Sequence, residues 1–84
     1  MEEDEITEDQ LKVIEQRSNR ATNGPWESFV EGRDHTSGSS FIRTMGEDIE
    51  LSGASIADQD FIAHARQDIP RLVREIRRLR SRME

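Results

Sequence analysis

Apolar side chains recur along this chain with a period that changes twice. Leu11, Ile14, Ser18 and Ala21 return every three or four positions with Val13 beside them, the spacing of one face of a helix. Ahead of them "TEDQ" has the form of a capping box. Thr7 can accept from the third helical amide while Gln10 reaches back to the Thr7 backbone. Asn23-Gly24-Pro25 ends the run, with Gly24 suited to a left-handed cap and Pro25 unable to continue the ladder. The first predicted helix is therefore about 8–22.

The period then shortens to two. In "WESFVEG" Trp26, Ser28 and Val30 alternate with Glu27, Phe29 and Glu31, which predicts a strand. "GRDHTSGSS" reads as a mobile loop and "FIRTM" as a second strand. Met45-Gly46-Glu47-Asp48 makes a tight turn into a third strand, "IELS". Helical spacing returns in "IADQDFIAHAR", with Ile56, Phe61 and Ala65 or Ile62 available to face inward. Pro70 disfavours helical geometry at Ile69, and Asp68 can cap the start of another helix, so the sequence predicts a break at Asp68–Pro70. A last helix over about 70–82 sets Ile69, Leu72, Ile76, Leu79 and Met83 at alternating steps of three and four. That stripe suits packing against the chain's own sheet and first helix, or pairing with a second copy in a dimer.

The expectation is an α+β fold: an N-terminal helix, a three-stranded antiparallel sheet and two C-terminal helices broken at Asp68–Pro70. Residues 1–6, acidic and nearly without apolar side chains, are expected to be disordered, leaving 7–84 as one small domain. At 84 residues and 32% apolar content the core must be thin, and Trp26, the only tryptophan, is expected to be its largest piece. The chain has no cysteine, which excludes disulfides and thiolate metal sites. No apolar run approaches the roughly 20 residues of a membrane span, and the acidic N-terminus is the reverse of a signal peptide. A cytoplasmic location without membrane contact is the expectation.

Charge is sorted along the chain. The net charge is −6, yet residues 1–10 alone carry six acids and no base. Residues 71–84 carry six arginines against Glu75 and Glu84. Arg71, Arg74 and Arg78 share one helical face, and Arg77 and Arg80 lie near a second. Such a face can track phosphates, can stand in solvent paired to Glu75, or can be masked by the acidic N-terminus. An acidic chain is unlike most nucleic-acid binders, so nucleic acid is a secondary expectation for the partner.

Candidate chemistry is sparse. His64 has Asp60 and Asp68 at one turn's spacing, which suits an ion pair more than a proton shuttle. His35 has no second histidine nearby, so no metal site is expected. Asp34, His35 and the loop serines supply residue types for nucleophilic catalysis, but loops of this kind have that composition anyway. No phosphate-binding glycine loop is present. The reading is a non-enzyme without a cofactor. Trp26, His64 and Arg66 are candidates for holding a nucleotide or other phosphorylated ligand, and Arg71, Arg74, Arg77 and Arg78 for contacting a macromolecule.

Two separated stretches, "ATNGPW" (21–26) and "FIAHARQDIPRLVREIRRL" (61–79), resemble a family of small phage and prophage accessory proteins. In that family a first helix ends in an Ala-Thr-Pro-Gly-Pro-Trp-like turn. A variable β region comes next, then a Phe-Ile-Ala-His-Ala-Arg segment, Asp-Ile/Val-Pro and an amphipathic tail helix. Asn23 stands here where that family commonly has proline. The resemblance covers about a third of the chain. It implies a binder rather than an enzyme in the bacterial cytoplasm, serving host takeover or counter-defence by blocking a host protein or sequestering a signalling nucleotide, and names no target.

Overall fold

A computed structural model describes residues 5–83. The elements are helix α1 (Glu8–Arg20), strands β1 (Glu27–Phe29) and β2 (Phe41–Arg43), and one long helix α2 (Ile56–Arg82). The fold is α+β, with a two-stranded antiparallel sheet in place of the expected three strands. Of the expected segment 1–6, residues 1–4 lie outside the described residues. The Ile6 carbonyl accepts a hydrogen bond from Arg80.

The N-terminus of α1 forms as its sequence predicts. Thr7 Oγ1 accepts from the Gln10 amide at 3.1 Å and Gln10 Oε1 from the Thr7 amide at 2.9 Å. The helix stops at Arg20, one turn before the glycine, on an extended Ala21 cap. Gly24 is not left-handed; positive φ belongs to Gly32, Gly38 and Gly53. Gly24 joins Pro25 through a cis peptide bond, and a side chain there would meet Gln67 Oε1 at 3.2 Å.

The hairpin register is Glu27↔Arg43, Ser28↔Ile42 and Phe29↔Phe41. Alternation sorts its faces as predicted. Val30 and Ile42 are buried against α2, while Phe29 and Phe41 stack on the opposite face with centroids 5.2 Å apart and Arg43 lies 4.5 Å over Phe29. The third strand shrinks to one bridge, where Ile42 and Ile49 exchange backbone hydrogen bonds at 2.8 and 2.9 Å. The Ser55 cap comes soon after Ile49, so the chain leaves the sheet edge at once to start α2. The turn before it forms as expected, with the Thr44 hydroxyl donating to the Glu47 carbonyl and accepting from the Gly46 amide. Segment 32–40 is irregular but tied down. Its Arg33 and Asp34 amides donate to the Val30 carbonyl, and Asp34 Oδ2 accepts from the Val30 amide at 2.9 Å.

The expected break at Asp68–Pro70 does not occur. α2 starts at a second capping box, Ser55 with Asp58, and runs 27 residues with Pro70 inside it. At 1.5 Å per residue it is about 40 Å long. Pro70 removes one backbone donor, but packing along both halves of α2 holds the helix together across it. Asp68 is thus an exposed mid-helix residue and caps nothing.

The inward face of α2 is also not the expected one. Ile56 and Phe61 are exposed, while Gln59, Ala63 and Val73 are buried. With Leu11, Val30 and Ile42 these make a thin core; Trp26 is only half-buried and sits at its edge. Acids near the start of α1 meet arginines near the end of α2, so the two helices are antiparallel. The hairpin packs on the first half of α2. The extents, 53 × 26 × 19 Å, describe a flat, elongated body with α2 as its spine.

Candidate functional site

Polar side chains of α2 fasten the hairpin through its backbone. Gln59, one turn before Ala63, is buried, and its Nε2 donates to Ser28 Oγ at 2.9 Å, the Phe41 carbonyl at 3.1 Å and the Phe29 carbonyl at 3.2 Å. Two turns further on, Gln67 brackets Trp26. Its Oε1 accepts from the Trp26 amide at 2.6 Å and its Nε2 donates to the Trp26 carbonyl at 3.2 Å. Both glutamines escaped sequence reasoning because a polar residue on a helix reads as solvent-facing. The row 59, 63, 67 at steps of four, leading to Val73, was the available signal.

Trp26 and Arg66 meet at one carbonyl. Trp26 Nε1 and Arg66 Nε both donate to the Thr22 carbonyl at 2.9 Å. Beside them lies an apolar groove of about 290 Å³ between α1 and α2, with Trp26, Ile14, Ile62 and Ile69 among its walls. Arg17, Arg66 and Ser18 are its polar members. The Ser18 hydroxyl is buried and has no hydrogen-bond partner among the described residues. His64 is exposed and lines no part of this groove; it stands one turn after Asp60.

Asp60 belongs to a different cluster, on the loop side. Arg33 grips its carboxylate with two bonds, at 2.8 and 3.1 Å, and also pairs with Asp34. The Arg33 guanidinium, helped by the Ser28 hydroxyl, lowers the Asp60 carboxyl to about 2.

The C-terminal arginines divide into two sets. Arg77 bonds Glu15 at 2.6 Å and Glu8 at 3.3 Å, and Arg80 reaches Glu8 and the Ile6 carbonyl. This set seals α2 to α1, so Arg77 acts as an internal fastener. The second set faces water. Arg78 pairs with Glu75 on its own helix, and Arg71 and Arg74 make no ion pair among the described residues. The Arg78 guanidinium holds the Glu75 carboxyl below its ordinary value.

Leu72 and Leu79, expected to pack inside or between copies, are exposed beside this second set; Phe61, near the start of α2, and Met83 are exposed too. Among the described residues no cluster of three or more His, Asp or Glu could hold a metal ion, and no helix is long and apolar enough to cross a membrane. No family model, no curated protein and no solved structure matches the chain.

Proposed function

We propose that this chain is a non-enzymatic binding protein whose partner is an acidic protein surface in the cytoplasm of a bacterial host, the setting of a phage or prophage accessory protein. The observation that carries this reading is the division of the arginines. Arg71 and Arg74 stand in water on the outer flank of α2 with no ion pair among the described residues, Arg71 near Asp68 and Glu75, beside Arg78 and the exposed Leu72. Guanidinium groups fixed along a rigid helix suit bidentate capture of carboxylates, and an adjacent apolar side chain adds area that water disfavours. Nucleic acid fits less well, because Arg77 and Arg80, which a phosphate-tracking face would use, are engaged by α1.

The test is capture from bacterial extract on immobilised protein, comparing the natural chain with Arg71→Gln/Arg74→Gln. The variant is expected to lose a specific captured protein while keeping its helix content, and capture should weaken as salt rises. Undiminished capture by the variant refutes this surface. Arg77 is left intact because its replacement would loosen α1.

The groove supports a second reading, a small-ligand binder. Its Ser18 hydroxyl, without a hydrogen-bond partner among the described residues, together with Arg17 and Arg66 suits a compound with an apolar body and a phosphate. Trp26 emission titrated with nucleoside mono- and diphosphates tests it, and no change at millimolar ligand removes it.

A further inference from the structure

The continuity of α2 through Pro70 joins two apolar runs into one. Ile62, Ile69, Ile76 and Met83 take one position of a heptad, and Ala65, Leu72 and Leu79 take the other, without a slip over three heptads. A broken helix would leave two heptads, too few for stable pairing; three reach the usual minimum. The stripe is about 32 Å long at 1.5 Å per residue. Within the single chain it is only partly used: Ala65, Ile69 and Ile76 are half-buried, while Ile62 is exposed, Leu72 is 56% exposed, Leu79 46% and Met83 86%. α1 and the hairpin cover other faces of α2, burying Val73, Ala63 and Gln59. The molecule is a flat body with apolar side chains along one long open edge.

We propose that this edge is closed by a second copy of the chain, two α2 helices pairing side by side, parallel and in register. Three features select that occupant and that direction. A β-branched residue at the first heptad position with leucine at the second favours two parallel strands, and here Ile62, Ile69 and Ile76 stand with Leu72 and Leu79. In parallel register Glu75 lies toward the partner's Arg80, five positions on, a favourable charge contact even with Arg80 held by Glu8 and the Ile6 carbonyl of its own chain. An antiparallel pairing of the same layers sets Glu75 against the partner's Glu75 and Arg66 against the partner's Arg80, both repulsive. The groove between α1 and α2, walled by Ile62, Ala65 and Ile69, lies along the same seam and is filled by the incoming helix. Arg71, Arg74 and Arg78 stay on the outer flanks, so the dimer displays that set twice. The pairing is independent of the proposed host partner.

The chain has no cysteine, so a single introduced thiol reports direction cleanly. Solution mass is measured by light scattering at about 100 μM on the purified full chain, on Leu72→Lys/Leu79→Lys, and on Leu79→Cys after mild oxidation. Expected are a mass twice that of one chain, its return to a single chain in the lysine variant with helix content kept, and a disulfide-linked dimer of Leu79→Cys. Arg74→Cys, on the outer face, should stay uncrosslinked. A single-chain mass for the natural protein overturns the proposal, as does a doubled mass that survives both lysines. A doubled mass lost in the lysine variant, with Leu79→Cys uncrosslinked, overturns the parallel register. Should the lysine variant lose its helices, the crosslink decides alone. Because no extract is present, these outcomes are separate from capture of a host protein.

Discussion

Replacing Gln59 with leucine tests whether the hairpin is held by its side faces or by this one amide. The Gln59 Nε2 group serves three acceptors between 2.9 and 3.2 Å, and two of them, the Phe29 and Phe41 carbonyls, belong to the two different strands. Leucine has similar volume but no donor. The two carbonyls left without this donor cost together about 3 kcal/mol, and the extra apolar burial returns about 1 kcal/mol. The expected net loss is about 2 kcal/mol. A chain of this length is stabilised by only about 4–12 kcal/mol in total, so the effect is large. With a urea slope near 1 kcal/mol/M for a small domain, the unfolding midpoint should fall by about 2 M. Equilibrium urea denaturation followed by helix circular dichroism reads this directly. A shift below about 0.5 M would refute the reasoning and leave stacking of Phe29 on Phe41 and burial of Ile42 as what holds the hairpin.

Three further outcomes are expected. Gln67→Leu should free the Trp26 backbone and shift the emission of the only tryptophan to the red, read by fluorescence without denaturant. The Arg33 grip lowers the Asp60 carboxyl to about 2, so its contribution to stability is present above the ordinary carboxylate range near 4 and is lost as pH falls through about 2. Asp60→Asn should flatten that part of the stability–pH curve, and an unchanged curve would count against the grip. Pro70→Ala should raise stability by about 1–2 kcal/mol in thermal or urea unfolding, since it restores a donor inside a continuous helix; no gain would argue for a break at that point.

The sequence signals that worked were local and repeated in kind. The Thr7–Gln10 box, the alternation around Phe29 and the turn after Thr44 each depend on neighbours within a few residues, so pattern alone locates them. What failed depended on partners far along the chain. Pro70 breaks isolated helices, yet here α1 and the hairpin clasp α2 on both sides of it. Phe61 looked like core because it is apolar; Gln59 took the inward place because the hairpin offers carbonyls that only a donor can satisfy. The arginine faces were legible as geometry, but that Arg77 belongs to Glu15, 62 residues away, was not. Trp26 was misplaced for the same reason: size suggested the centre, while its indole N–H was needed by the Thr22 carbonyl at the edge.

The two glutamine clasps have a consequence for how this chain can vary. Apart from the Ser28 hydroxyl, they hold peptide groups of the hairpin rather than its side chains. A fastener that touches only main chain is indifferent to what the main chain carries. Glu27, Phe29, Glu31, Arg43 and residues 35–39 can therefore be rewritten without disturbing the attachment, provided the Val30 and Ile42 positions stay apolar and Arg33 and Asp34 keep their bonds to Asp60 and Val30. The hairpin behaves as an interchangeable cartridge on a fixed helical rail, a natural place to graft a new recognition loop.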